Sequence, residues 1–427
     1  MYDNLLAQAD VKNSLIGDLR NDRLPPSLLF SGPPASGKLT AALETARLLS
    51  CEDSGDWDCP CPACARHRIL VHGDLLLLGQ RTFPEELTIA LEMLERSPGR
   101  ASAHFFLRAV NKLLRRFDRS LWEGEEGRLA KAAPLLREAE ETLSYLDPGA
   151  AREGALPKGF AESAASAAKA CAKLETFVPD APPVFMVRNM ELWARTAPSG
   201  RRKTVVVENA DRMLDSARNA MLKILEEPPH NVRFILLTSR RAAVMATILS
   251  RSRTYPFAAR DASAVATVLR RVFRTDEHAD SLENYIESRK PFPPARAKAL
   301  AEAFTGALFV SSQLAADSGL GSYAASLATE AAKSGDRPTA VLDELASATG
   351  DFGAKDERLS GSFMQFIKAL LDVLGNVLRD PESDTRALIL TDRWSRLARD
   401  AAVQYGSFNR NPDLLLRVLA TTFGDSI

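Results

Sequence analysis

Cysteine is scarce in this chain, with five among 427 residues. Four of them crowd into 51–64, which suggests a metal site more than a disulfide frame. A surplus of one charge is also lacking. Lys plus Arg is 55 and Asp plus Glu is 55, so the formal net charge is zero. That excludes a globally basic nucleic-acid binder and an acidic tail protein, while a local basic face stays open. Long apolar runs are missing too: none approaches the ~20 residues of a membrane span. The opening Met1-Tyr2-Asp3-Asn4 has no basic region followed by an apolar core, so no secretory signal is read there. These absences together lead to the expectation of a cytoplasmic protein with no membrane partner.

What is present is ordinary in bulk and specific in places. A hydrophobic fraction of 45% and a charged fraction of 26% suit globular folds and exclude collagen-like or low-complexity classes. At roughly 150 residues per domain, the length implies two to four domains. Four continuous apolar runs, 26–30, 74–78, 203–207 and 233–238, read as strands buried on both faces of a parallel sheet. Between the second and third, residues 81–182 carry apolar residues at helical spacing, such as Phe105, Phe106, Val110, Leu113 and Leu114, with an Ala-rich helix over 163–174. Pro148-Gly149 and Pro157-Lys158-Gly159 read as turns between helices. This interval is expected to be a helical insertion, the other reading being a flexible linker. After Phe257 the patterns are helical, over 265–273, 295–314, 363–378 and 385–405.

The turn after the first strand reads Gly32-Pro33-Pro34-Ala35-Ser36-Gly37-Lys38. This fits G-x-x-x-x-G-K, in which glycines let successive N–H groups face a phosphate and the lysine adds charge at the outer phosphates. The other reading is a plain turn that opens the helix 40–49. The position after the lysine, where a hydroxyl would hold Mg²⁺, is Leu39. Thr40 comes one residue late, about 100° around the helix. The third strand ends Val207-Glu208-Asn209. Glu208 stands where phosphate-loop ATPases place the aspartate that organises Mg²⁺, and Asn209 where a glutamate activates water. An amide cannot take a proton, so general-base catalysis fails there. A plain strand-to-helix turn is the alternative. The chain is expected to hydrolyse ATP weakly or not at all while keeping the phosphate cradle, with Mg²⁺ ligation doubtful.

The stretch Asn219-Ala220-Met221-Leu222-Lys223-Ile224-Leu225-Glu226-Glu227-Pro228-Pro229, then Thr238 at the end of the fourth strand and Ser250-Arg251-Ser252, closely resembles the bacterial clamp-loader subunits of DNA polymerase III, in the AAA+ superfamily. Asp3-Asn4-Leu5-Leu6-Ala7-Gln8 is similar to the family's N-terminal segment near the adenine, with Ala7 for glycine. His72-Gly73-Asp74-Leu75 is similar to its H-P-D-L, and Phe408-Asn409-Arg410-Asn411-Pro412 to a segment of its collar helices. The resemblance covers about the first 80 residues, then 184–257, and more weakly the C-terminal helices. It does not cover the insertion.

The resemblance implies α/β plus all-α architecture: an AAA+ core over 1–80 and 183–257, split by the helical insertion that periodicity predicts over 81–182, a zinc module at 51–64, a helical lid over 258–317 and a helical collar for oligomerisation over 318–427. It implies nucleotide-binding positions at Gly32, Pro33, Pro34, Ala35, Ser36, Gly37, Lys38, Leu39, Thr40, Glu208 and the sensor Thr238. It also implies an arginine finger at Arg251, with Arg253 as substitute, reaching a neighbouring subunit's ATP site. Arg251's other reading is a cation that caps a helix C-terminus. The lost magnesium and catalytic groups resemble the delta-prime type of subunit, a non-motor part of the DNA polymerase III holoenzyme. The active gamma/tau ATPase is the rival. Implied partners are gamma/tau, delta, the sliding clamp indirectly and primed DNA through the complex.

Cys51, Cys59, Cys61 and Cys64 lie where that family carries four zinc ligands. Cys61-x-x-Cys64 is spaced for a tetrahedral ion, whereas Cys59-Pro60-Cys61 is one residue short and would not usually turn both sulfurs to one metal. Structural zinc is expected, with His67 as a substitute ligand and unmetallated thiols as the alternative.

Overall fold

The computed structural model describes the chain except residues 81–82, 145, 147–150, 153, 291–292, 313–318, 336, 350–356, 409–414, 416–417 and 420–427. It divides into two compact units, Met1–Ile286 and Glu287–Ile427. The Pro148-Gly149 turn and the Asn409 to Pro412 segment lie outside the described residues.

The first unit is built on five strands: β1 (Ser27–Ser31), β2 (Leu75–Leu78), β3 (Lys203–Val207), β4 (Val232–Thr238) and β5 (Arg253–Pro256). All pair in parallel, in the order β2-β3-β4-β1-β5. The first four strands are buried along their whole length, as continuous apolar runs require. Their residues nonetheless divide by the pleat. Leu29, Leu76, Leu78, Val205, Val207, Phe234 and Leu236 enter one core, and Leu28, Phe30, Leu75, Leu77, Val206, Ile235 and Leu237 enter another. The sheet thus has two apolar faces.

The second face is covered by the helices Ala9–Arg20 and Lys38–Ser50. The first face is covered by residues between β2 and β3. Helices Phe83–Arg96, Arg100–Leu114, Glu126–Ser144, Phe160–Leu174 and Val184–Arg195 fill this interval. Phe106, Val110, Leu113, Phe117 and Trp122 are buried in the same core as Leu76 and Val205. A flexible linker does not supply core residues, so these helices are a wall of the domain. Leu282, Tyr285 and Val265, from the helices Leu282–Glu287 and Ala262–Arg271, pack with Ile89 and Met93 of the first of them.

β5 escaped the sequence reading. It is an edge strand with one buried side chain, Tyr255, so it has no apolar run to announce it. Burial of Tyr255 against Phe30, and parallel pairing with β1, fix it there.

The second unit is helical in its described residues. Its helices are Pro294–Ser311, Ser322–Ser334, Pro338–Thr349, Glu357–Leu378 and Thr385–Phe408. Phe304, Phe309, Phe366, Leu370 and Trp394 form its core.

Candidate functional site

In a parallel sheet the loops that leave the strands all lie at the carboxyl ends, where ligands of such folds sit. The end of β1 runs into the loop from Gly32 to Lys38, the end of β3 into Glu208 and Asn209, and the end of β4 is Thr238. Gly32 N donates to Thr238 O at 3.2 Å, so the phosphate loop and the fourth strand end are joined directly. A side chain at Gly32 would meet the carbonyl of Phe257 at 2.4 Å, so only glycine fits this crossing.

The helix Lys38–Ser50 begins at the loop with no side-chain cap on its first turn, which leaves its N-terminal dipole facing the loop. Lys38 Nζ donates to Gly32 O at 2.7 Å and also to Pro33 O and Ser36 Oγ. Burial lowers the Lys38 ammonium to about 8, while Glu208 and Asp211 hold it up against Arg260. Leu39 is buried in the sheet core and faces away from the loop, and Thr40 follows in the helix.

Three residues that sequence reasoning did not assign belong to this site. Arg260 donates to Ala35 O within the loop and to Leu6 O at 3.3 Å. Asp211 accepts from the Thr238 hydroxyl at 2.7 Å and from Arg240 Nε at 2.9 Å, so the hydroxyl at the end of β4 is held by a carboxylate. Arg116, from the 3₁₀ turn Arg115–Phe117, pairs with Glu208. None of the three lies in a local motif. Only Asp211 carried a signal, four residues past the third strand.

Gln8 makes a two-way bond with the backbone of Ala258, Nε2 to its carbonyl at 2.8 Å and its N–H to Oε1 at 3.0 Å. This pins the N-terminal segment beside the loop. Ala7 has φ of 55°. A left-handed backbone is what glycine tolerates best.

Magnesium does not fit the residues present. The adjacent hydroxyl is absent, the carboxylate of Glu208 is already paired to a guanidinium, and Asn209 turns its amide to Gln80 O at 2.9 Å. The phosphate loop itself fits an anion: it offers a lysine, an arginine and an uncapped helix end.

The four clustered cysteines do converge. Their sulfurs all lie within 4.8 Å of one another and all four residues are buried. Cys51 and Cys59 sulfurs are 3.7 Å apart. Tetrahedral zinc with Zn–S of about 2.3 Å needs sulfurs about 3.8 Å apart. The short Cys-Pro-Cys spacing works because Cys61 caps the helix Pro62–Arg68, accepting from Cys64 N, which swings its sulfur toward Cys64. A bond from the Cys61 backbone pulls the Cys59 thiol down to about 6, and burial pushes Cys64 up. These residues fit a closed structural zinc site. His67 is not among them. Its Nε2 meets Ser50 Oγ at 3.0 Å and its ring stacks on His72, and burial holds it neutral with a pKa of about 2.

Arg251 follows the short helix Ala246–Leu249, is exposed, and donates to Thr247 O at 3.0 Å and Glu226 Oε1 at 2.8 Å. Arg253 on β5 instead pairs with Asp18 at 3.0 Å. Among the described residues, no helix is long and apolar enough to cross a membrane.

Comparison with known proteins finds partial matches. The model of a family described as "DNA polymerase III, delta subunit" matches residues 7–98 and 186–261. A DNA polymerase III subunit delta' of Haemophilus influenzae is 40% identical over 73 residues, 17% of this chain and 22% of that protein. The delta' subunit of Bacillus subtilis is 34% identical over 67 residues, 16% and 20% of the two chains. A DNA polymerase III subunit gamma/tau of Mycobacterium bovis is 40% identical over 57 residues, 13% of this chain and 10% of that one. This chain therefore spans about a fifth of the length of the delta' relatives it matches.

Proposed function

We propose that this chain, matched over residues 7–98 and 186–261 by the model described as "DNA polymerase III, delta subunit", serves as a non-motor subunit of a clamp loader, of the delta-prime type. One observation carries this reading. The carboxylate position at the end of β3 is tied to Arg116, and its neighbour is an amide bonded to Gln80 O. This supports a site in which neither a carboxylate free to organise Mg²⁺ nor a base to take a proton from water is on hand.

In this reading the loop from Gly32 to Lys38, with Thr238 at its side, holds nucleotide phosphates without splitting them. Lys38 and Arg260 would supply charge. Arg251, exposed and released from Glu226, would enter a neighbouring subunit's ATP site and stabilise charge on the transferring phosphoryl group. The four-cysteine module would hold zinc as a structural brace. Partners would be gamma/tau and delta chains, with the sliding clamp and primed DNA met through the assembly. The AAA+ core would be residues 1–80 and 183–257, the lid 258–317 and the collar 318–427.

A gamma/tau-type ATPase is the second reading, favoured by the 40% identity to a gamma/tau subunit. ATP turnover separates the two. The purified chain should show no turnover above that of Lys38→Ala, and a reconstituted loader should lose turnover when Arg251 becomes alanine. Turnover by the chain alone that Lys38→Ala abolishes would establish the motor reading.

A further inference from the structure

The insertion reaches the end of β3 through Arg116. Arg116 sits 35 residues into the 81–182 interval, in the 3₁₀ turn that follows the helix Arg100–Leu114. Its side chain is 3% exposed. Nε donates to Gly79 O at 2.7 Å, Nη2 is paired with Glu208 Oε1, and the guanidinium lies 5.5 Å from the centre of the Phe83 ring. Trp122 Nε1 donates to the Arg116 carbonyl at 2.8 Å and fixes the backbone of the turn. The arginine is therefore held from four sides.

The strand ends it joins are held just as closely. Glu208 N donates to Leu78 O at 2.9 Å, and a side chain on Gly79, whose φ is +95°, would lie 2.5 Å from Glu208 O. Asn209 sits in the left-handed region at φ 51° and bonds Gln80. The guanidinium thus occupies the charge-balancing role at a carboxylate that a hydrated divalent ion would otherwise take. A second ion there would face an anion already neutralised at short range. It would also lack the hydroxyl ligand, since Leu39 is in the core.

We propose that Arg116 is a built-in counter-cation for Glu208, so that the phosphate loop takes a nucleoside di- or triphosphate without a divalent metal. The inference rests on the nucleotide-binding reading above. It gives the insertion a task at this site: it supplies a fixed positive charge where the ATPases of this fold recruit a mobile one. Glu208 left bare would repel incoming phosphates. Paired with Arg116, it leaves Lys38 and Arg260 as the net charge the phosphates meet.

Titration of the full chain with N-methylanthraniloyl-ATP and -ADP, once with Mg²⁺ and once with EDTA, tests this. The expected result is a Kd that agrees within about threefold between the two conditions. In Arg116→Gln, Glu208 is unbalanced, and EDTA should weaken binding by about tenfold or more, with Mg²⁺ restoring it. Arg116→Lys keeps the charge but not the two-point hold on Gly79 and Glu208, and its loss in EDTA should fall between those of the parent and Arg116→Gln. A parent chain that binds tenfold more weakly in EDTA would overturn the proposal and leave nucleotide binding standing. No binding in either buffer would overturn both. The parent comparison stands even if Arg116→Gln does not fold.

Discussion

Arg47 donates its Nη1 to the sulfur of Cys64 at 2.9 Å, from the same helix whose first residue is Lys38. The guanidinium is 1% exposed, pairs with Glu44 at 2.7 Å, and reaches the carbonyls of Gly55 and Asp56. It thereby positions both a thiol and the loop that carries the next one.

Arg47→Met should therefore loosen the metal without removing a ligand. Outer-shell partners of this kind are worth about 10–100-fold in metal affinity. Competition with a chromophoric chelator should register that loss. The parent chain should carry about one zinc ion, and Cys59→Ser should carry well under one. Metal content that is unchanged in Cys59→Ser would refute the module.

Nucleotide affinity should depend on pH through Lys38. Burial lowers this ammonium to about 8, so the cation persists below that pH and is lost above it. Phosphate binding needs the cation, so affinity should fall as pH rises through 8, by at most about tenfold per pH unit for one linked proton. Binding curves at pH 7 and pH 9.5 would read this directly, and a flat profile would exclude the lysine from the contact.

Arg251→Ala should leave the fold intact. Its pair with Glu226 is half exposed and belongs to the class of surface ion pairs worth about 0–1 kcal/mol. In a reconstituted loader the same change should cut ATP turnover by about 10³-fold at the site the finger serves. Equal turnover with and without the arginine would assign Arg251 to capping its own helix instead.

Phe106→Ala should destabilise the first unit by about 3–5 kcal/mol, the range for truncating a fully buried Phe. Phe106 is 0% exposed in the core it shares with Leu76 and Leu78. A shift of the melting transition by less than about 1 kcal/mol would mean the insertion is dispensable packing.

What the chain disclosed in one dimension followed from how local each signal was. Strands β1 to β4 are runs of four to seven buried residues, with polar residues only at their ends or one place in, as at Lys203, Thr204 and Arg233. The phosphate loop and the cysteine cluster are contiguous, so their chemistry is readable as spacing. Arg116 and Glu208 are 92 residues apart, and Arg260 meets Ala35 across 225. No periodicity relates such partners, because only the closed sheet brings them together. β5 hid for a different reason: one face of an edge strand is solvent, and a single Tyr255 is too little pattern. The Cys-Pro-Cys spacing looked too short because the turn that Cys61 makes as a helix cap is a property of the backbone, not of the count between cysteines.

The sheet interrupts itself between two strands that must touch. β2 and β3 are neighbours, Leu75 opposite Thr204, yet the insertion separates them along the chain. Closing a longer loop is entropically mild, about 0.6 kcal/mol for each doubling of its length, so the equilibrium fold tolerates the interruption. The rate of folding is less forgiving, because contacts between distant residues must await that closure. Docking β2 onto β3 is therefore a late event for this chain. The longer the intervening helices take to settle on the face they share with the sheet, the longer β3 keeps one edge open.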